Sequence, residues 1–277
     1  MSLSNRPTGE PVEPPDDGLV IKSRKSVLPL TPTLSPVRIT MTKRYSITKD
    51  VFEKFPEFRR GVVVATGLTN PAAPADLTAA LRAAEAALPS VLNIDTILEN
   101  PKITNWREAY RSIGIKPTEF RPSVEALARR VLRGEPLPSI STLVDIGTLV
   151  TIRHLLPTGA HAIDHLKGDI ELRFARGDET FVPFGTDTVE HPAPGEIIFT
   201  DGDTVMTRRW TWRQSNHSLV VPETTAVEVN VDGLPPFTLS EVQAICVEVG
   251  DLLVKYCGGA YRYEVLTRDH PVMDLID

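Results

Sequence analysis

The chain is poor in the residues that would announce a familiar chemistry. It holds only two cysteines, Cys246 and Cys257, among 277 residues. Two cysteines build neither a zinc-finger cluster nor a disulfide framework. Both fall in one helix-like segment, eleven residues apart, or about 16 Å along a helix axis, which is too far to bridge. They read as reduced thiols. No apolar run approaches the roughly 20 residues of a membrane-spanning helix, so a helical membrane protein is excluded. No basic patch precedes an apolar core near the start, so a secretory leader is not expected and the expected compartment is the cytoplasm. Aromatic residues make up only 6%. GxSxG, GxxxxGK[ST] and GxGxxG are all missing, so a nucleophile elbow, a P-loop and a dinucleotide fingerprint have no support.

What is present is ordinary for a globular protein. Hydrophobic residues are 41% and charged residues 24%, with a net charge of −6. That composition can bury a sizeable core. The acidic balance argues against a non-specific nucleic-acid coat, though a local basic patch is compatible with it. Residues 1–40 differ, with seven prolines and no aromatic residue. Such a segment buries too little apolar surface to offset its ordering entropy, so a disordered extension is expected. MTKRYSITKDVFEKF reads as the start of the folded part, 41–277, and Met41 as a candidate translation start.

The pattern beyond it mixes helix and strand. GVVVATGL (61–68) reads as a buried strand, and ADLTAALRAAEAAL (75–88) as a helix. NWREAYRSIG (105–114) and SVEALARRVLRG (123–134) read as helices closed by glycine. STLVDIGTLVTIRHLL (141–156) reads as an apolar helix closed by Pro157. DIELRFA (169–175) alternates, with Ile170, Leu172 and Phe174 on one face and Asp169, Glu171 and Arg173 on the other. GEIIFTD, TVMTRRW and AVEVNVDG follow as short strands. LSEVQAICVEVGDLLVKYCGG (239–259) is a long amphipathic helix, and YRYEVLT a final strand. The fold class is α+β.

Three constellations merit weighing. His161 and His165 lie four apart, a spacing that on a helix would suit zinc. The segment is short and glycine-flanked, with no HExxH and no third ligand. A structural or pocket-lining His161 is the better reading, and no metal or cofactor is expected. RRWTWRQSN (208–216) packs two tryptophans and three arginines into six residues. As an extended strand it would point Arg209, Thr211 and Arg213 one way and Trp210, Trp212 and Gln214 the other. One face would then pack in the core, or the stretch would form a cationic, aromatic wall suited to phosphates and bases. The third group is Arg107, Arg111, Arg121, Arg129, Arg130 and Arg133. It reads as a solvated helix face, or as a nucleic-acid track if it converges with residues 208–213.

Taken in order, residues 120–179 (FRPSVEALARRVLRGEPLPSISTLVDIGTLVTIRHLLPTGAHAIDHLKGDIELRFARGDE), 192–216 (PAPGEIIFTDGDTVMTRRWTWRQSN) and 224–234 (TTAVEVNVDGL) resemble the B3/B4 domain. This is the editing domain of the bacterial phenylalanyl-tRNA synthetase β subunit, here as a freestanding protein. The resemblance spans roughly residues 50–260. It implies a three-layer α+β fold with an unusual β-sandwich flanked by helices. It also implies a pocket for the 3′ aminoacyl end of a mischarged tRNA, whose ester is hydrolysed in trans. Tyrosine is the amino acid for the synthetase domain, and analogues such as canavanine on arginine tRNA for some freestanding relatives.

Carried over by residue, His161 in AHAID matches the family's pocket histidine, and Asp164 completes that motif. Gln214 and Asn216 stand nearest the place of a family glutamate. The expected catalytic group is therefore His161, Gln214 and Asn216, and the expected substrate pocket Asp164, Trp212 and Glu190. Arg121, Arg208, Arg209 and Arg213 are the expected tRNA contacts. For a guanidinium substrate Glu190, Asp187 and Asp201 are the candidate carboxylates. The alternatives are a binding module of the same fold and a metal hydrolase using His161 and His165.

Overall fold

The computed structural model describes residues 43–275; the Pro-rich extension and the Met41 start lie outside the described residues. The chain begins with strand β1 (Arg44–Ile47), short helix α1 (Lys49–Lys54), strand β2 (Arg59–Thr66) and helix α2 (Ala75–Ala87). Helices α3 (Pro101–Ser112), α4 (Ser123–Leu132) and α5 (Thr142–His154) follow. Strands β3 (Thr158–Ala162), β4 (Ile170–Phe174), β5 (Ile197–Asp201), β6 (Thr204–Arg208), β7 (Arg213–Gln214) and β8 (Ala226–Gly233) come next. Helix α6 (Leu239–Cys257) and strands β9 (Ala260–Leu266) and β10 (Val272–Asp274) complete it.

The strands form two sheets, one six-stranded in the order β10-β1-β4-β5-β6-β7 and one four-stranded in the order β3-β8-β2-β9. Strict alternation sorts the smaller sheet's side chains. Val63, Ala65, Val227, Val229 and Val231 face a core shared with α2, α5 and α6. Val62 and Val64, on the opposite face, join Tyr45, Leu172 and Phe199 of the larger sheet. The result is three layers: sheet, sheet, helices. It is the α+β class that the sequence predicts, with two stacked sheets covered on one side by helices.

Local chemistry explains the helix ends. Asn100 caps α3 by accepting from the Lys102 amide, and Pro101 occupies its first turn, where a missing N–H costs nothing. The helix therefore starts four residues before the predicted Asn105. Thr238 and Glu241 form a reciprocal capping box on α6. Helix α5 ends on Leu155 in the left-handed conformation, ahead of the predicted stop at Pro157.

One expectation needs correction and another needs detail. On the polar face that the alternation of β4 predicts, Arg173 is buried, because it is ion-paired to the buried Glu179. RRWTWRQSN is not one extended strand. It is the end of β6, a turn over residues 209–212, and β7. Arg209 and Trp210 both adopt positive φ, 48° and 62°, a conformation costly for non-glycine residues. The compensation is the burial of Trp210, whose ring lies 4.8–4.9 Å from those of Phe55, Phe58 and Trp106.

Close packing of α6 on the small sheet depends on Gly61. A Cβ there would lie 2.2 Å from Cys246 Sγ and 3.2 Å from Val231 Cβ. Gly61→Ala is expected to destabilise the fold by about 1–3 kcal/mol through overpacking. A urea midpoint that drops while the slope stays constant will show it; an unchanged midpoint would mean that α6 yields freely.

Candidate functional site

The face of the small sheet that looks toward the large one carries more than valine. Arg60 pairs in register with Asp232, Val62 with Asn230, and Val64 with Glu228. On the other side of β8, Gly159 pairs with Asn230 and His161 with Glu228. The pleat therefore sends Arg60, Asn230, Asp232, Glu228 and His161 inward together. Arg60 grips Asp232 through Nε at 2.7 Å and Nη2 at 3.1 Å. Asn230 Nδ2 donates to the same carboxylate at 3.0 Å, and the Tyr45 hydroxyl donates to Glu228 Oε1 at 3.2 Å.

Above this floor lies a cavity of about 190 Å³. The smaller sheet contributes Arg60, Thr158, Gly159, His161 and Asn230 to it. The β6–β7 hairpin contributes Thr207, Trp210, Trp212, Arg213 and Gln214. Gly159 leaves room beside Asn230, since a Cβ there would sit 3.0 Å from Asn230 Oδ1.

His161 is held at both nitrogens. Its Nδ1 lies 2.7 Å from Ser218 Oγ, and its Nε2 lies 3.4 Å from Thr207 Oγ1. With the Ser218 hydroxyl donating, the ring proton resides on Nε2, facing Thr207. Burial, reinforced by the Arg60 charge, lowers the pKa of His161 to about 3, so the imidazole is neutral at physiological pH. Gln214 Nε2 donates to the carbonyls of Ala160 at 3.1 Å and Ser218 at 3.0 Å, tying the hairpin to the histidine strand.

The other expected residues divide. Trp212 and Arg213 line the cavity. Asp164 lies outside it and binds the Thr225 amide and hydroxyl, so it holds a turn. Asn216 is exposed and donates to the Thr186 carbonyl. Glu190 is not a cavity wall either. It binds Arg208, which also pairs with Glu196 at 2.7 Å. Arg209 is stacked between Phe120 and Trp212, at 3.7 and 4.5 Å from the ring centroids, and lies 3.3 Å from Glu196. Arg208 and Arg209 thus have carboxylate partners within the protein. Arg213 has no carboxylate partner among the described residues, and Arg121 is half-exposed beside Glu125 at 3.9 Å. Of the helical arginines, Arg107 and Arg129 are bound to Glu125.

His161 and His165 do not share a helix face. His161 lies on strand β3, and His165 Nε2 contacts the His217 carbonyl at 2.6 Å. Among the described residues no three His, Cys, Asp or Glu side chains are grouped to hold a metal.

Arg60, Thr158, Thr207, Ser218 and Asn230 escaped the sequence reading. One signal did exist: in AVEVNVDG, Glu228, Asn230 and Asp232 alternate with valines. In a strand covered on both faces, such residues must be buried and partnered.

Two groups here pull stability in opposite directions with pH. His161 takes up its proton near pH 3 when folded and near 6.5 when unfolded, so its contribution is lost as pH falls through that window. Burial raises the Glu228 carboxyl from 4.5 to about 8, against the opposing pull of Arg60. The folded chain keeps a proton that the unfolded chain releases, so stability falls as pH rises from 4.5 to 8. His161 opposes this loss only below about pH 6.5, so the decline due to Glu228 shows above that pH. Glu228→Gln is expected to flatten the decline above pH 6.5 in denaturant titrations. A variant that declines as steeply as the parent would refute this role.

No curated protein matches this sequence. Among solved structures, the crystal structure of an N-terminal fragment of the phenylalanyl-tRNA synthetase beta subunit from Pyrococcus horikoshii is similar at 12% identity and a TM-score of 0.39. That likeness covers 79% of this chain and 50% of the other, so the chain spans about half the length of that fragment. The family model of the B3/4 domain matches residues 105–244. Those residues run from α3 through the cavity's strands and hairpin into α6, about half of the chain, and on that match the chain belongs to the B3/4 domain family.

Proposed function

We propose that the chain is an aminoacyl-tRNA deacylase acting in trans, which hydrolyses the ester joining a wrong amino acid to the tRNA 3′ end. The observation that carries this reading is the neutral, doubly anchored His161 on the wall of a small cavity. About 190 Å³ lies below the 300–1,000 Å³ typical of pockets for drug-sized ligands and is on the scale of an amino acid. Family membership supports the same reading.

The chemistry asks little of the protein. An aminoacyl ester is already activated, so a positioned water and a stabilised oxyanion suffice. The water oxygen bonds to the carbonyl carbon, the bond to the ribose oxygen breaks, and the water's proton ends on that ribose oxygen. His161, with its depressed pKa, acts as a positioning hydrogen-bond group rather than a strong base. Ser218 and Gln214 fix its orientation. Trp212 shapes the wall, and Arg213, with half-exposed Arg121, faces the terminal phosphates. Arg208 and Arg209 support the hairpin instead of contacting RNA.

A panel of tRNAs carrying correct and incorrect amino acids, including tyrosyl-tRNA(Phe) and canavanyl-tRNA(Arg), tests the proposal. Selective loss of one ester over an enzyme-free control is expected. His161→Ala should slow it by roughly 10²-fold or more while the circular-dichroism spectrum is kept. Full activity in that variant would remove His161 from the mechanism. Saturable binding without release of amino acid would assign the chain as a binding module instead.

A further inference from the structure

Strand β9 forms one edge of the small sheet and pairs with β2 alone, from Ala260 opposite Thr66 to Leu266 opposite Arg60. Among the described residues no other strand or loop hydrogen-bonds to the backbone of residues 260–266. Alternate N–H and C=O groups along that edge therefore point outward without a protein partner. Proteins blunt such edges with proline, lysine, a bulge or a very short strand. The segment AYRYEVL has none of these: it runs seven residues, without proline or lysine, in unbroken register with β2. An edge left in this state is a template for another strand.

The charge pattern of β9 selects its partner. Tyr261, Tyr263 and Val265 pack toward the core beneath α6, so alternation puts Arg262 and Glu264 together on the other face. Both are about a third exposed. Arg262 lies 3.7 Å from Glu264 and donates to the Asp274 carbonyl, and Glu264 is bound to His270 at 2.6 Å. A second β9, antiparallel about a two-fold axis at Tyr263, would set Arg262 of each copy opposite Glu264 of the other. An axis at Arg262 or Glu264 would set like charge against like. Opposite charges directly across a strand pair stabilise it, and like charges destabilise it. At the ends of the Tyr263-centred register, the turn after β9 meets Gly258 and Gly259, which have no side chain to obstruct it.

The helix layer fits the same axis. Helix α6 lies over both β2 and β9. Pairing at β9 would therefore place two α6 helices about two strand spacings apart, roughly 9.6 Å. Packed helices lie roughly 8–10 Å apart. The β9 side of α6 is marked by Gly250, where a Cβ would run into the Tyr261 ring, and by Asp251, which accepts from the Tyr261 hydroxyl at 3.0 Å. Val247 and Val254 share a helix stripe with Gly250 and are exposed. A second α6 alongside would cover them.

We propose that β9 is the seam of a homodimer, in which two copies pair antiparallel through residues 260–266 to form one eight-stranded sheet. The interface is isologous, as a two-fold axis requires. His161 lies on β3, the opposite edge of the sheet, so pairing leaves both cavities uncovered, whatever reaction they host.

The full chain, followed by analytical ultracentrifugation from about 1 to 500 μM, is expected to pass from the mass of one chain to twice that mass. Amides within residues 260–266 should gain protection from hydrogen exchange over the same range. Arg262→Glu and Glu264→Arg, each alone, should raise the dimer dissociation constant at least about tenfold, since each sets two like-charged pairs across the axis. An equimolar mixture of the two variants should associate at least as tightly as the parent, because every pair between unlike copies is then opposite in charge. A contact within one chain cannot produce that rescue. A chain that stays monomeric throughout would overturn the proposal. So would a dimer whose affinity neither variant changes, or a mixture that associates no better than its components. Exchange in 260–266 that is independent of concentration would overturn it as well, and that measurement needs no variant to fold.

Discussion

The structure depends on a small sheet that is covered on both faces. Helices α2, α5 and α6 take one face and the six-stranded sheet takes the other. A strand in that position has no solvated side, so any polar side chain it carries must find its partner within the protein. Strands β2 and β8 carry four such residues, Arg60, Glu228, Asn230 and Asp232, all buried. The Arg60–Asp232 pair is the centre of that group. Two buried charges forfeit hydration worth several kcal/mol each, and well-packed hydrophobic residues often serve stability equally well. Stability alone therefore gives no reason for the pair. It fixes a guanidinium with one free edge beside Asn230, at the floor of the cavity that His161 walls.

The second constraint is the β6–β7 hairpin. Two consecutive residues in left-handed backbone would be unfavourable in an exposed turn. Here they drive Trp210 into a cluster of three aromatic rings and draw Arg209 between Phe120 and Trp212. The same twist brings Gln214 back toward β3, where it bonds to two carbonyls beside His161. One wall of the cavity thus follows from an aromatic packing event, and the other from the sheet register. Carboxylates at Glu190 and Glu196 neutralise the arginines that the packing buries. An arginine-rich stretch that suggests an RNA track is, at Arg208 and Arg209, internal bracing.

Much of this was legible in the chain. The helices at 75–88, 123–134 and 239–259 follow from helix propensity, apolar patterning and, for the last two, a closing glycine, which act within a few residues. Strand 226–233 follows from alternation, and the α+β class follows from the order of these segments. The family resemblance implies a pocket role for His161; in the structure His161 lines the cavity beside Gln214. Strand β3 was not legible: TGAHA is short, has a glycine inside it and has no apolar alternation. It is a strand only because β8 offers an edge to pair with.

The sequence by itself determined the periodic segments and the family, because those depend on near neighbours and on the order of residue types. Tertiary structure alone decided which polar groups are free. Whether an arginine binds substrate or a carboxylate turns on what stands opposite it in space. Arg208 meets Glu190 and Glu196, eighteen and twelve residues away, while Arg60 meets Asp232 across 172 residues and keeps one nitrogen uncommitted. Local sequence patterning does not contain that distinction, because a side chain's partner is set by sheet register and layer packing rather than by its neighbours along the chain.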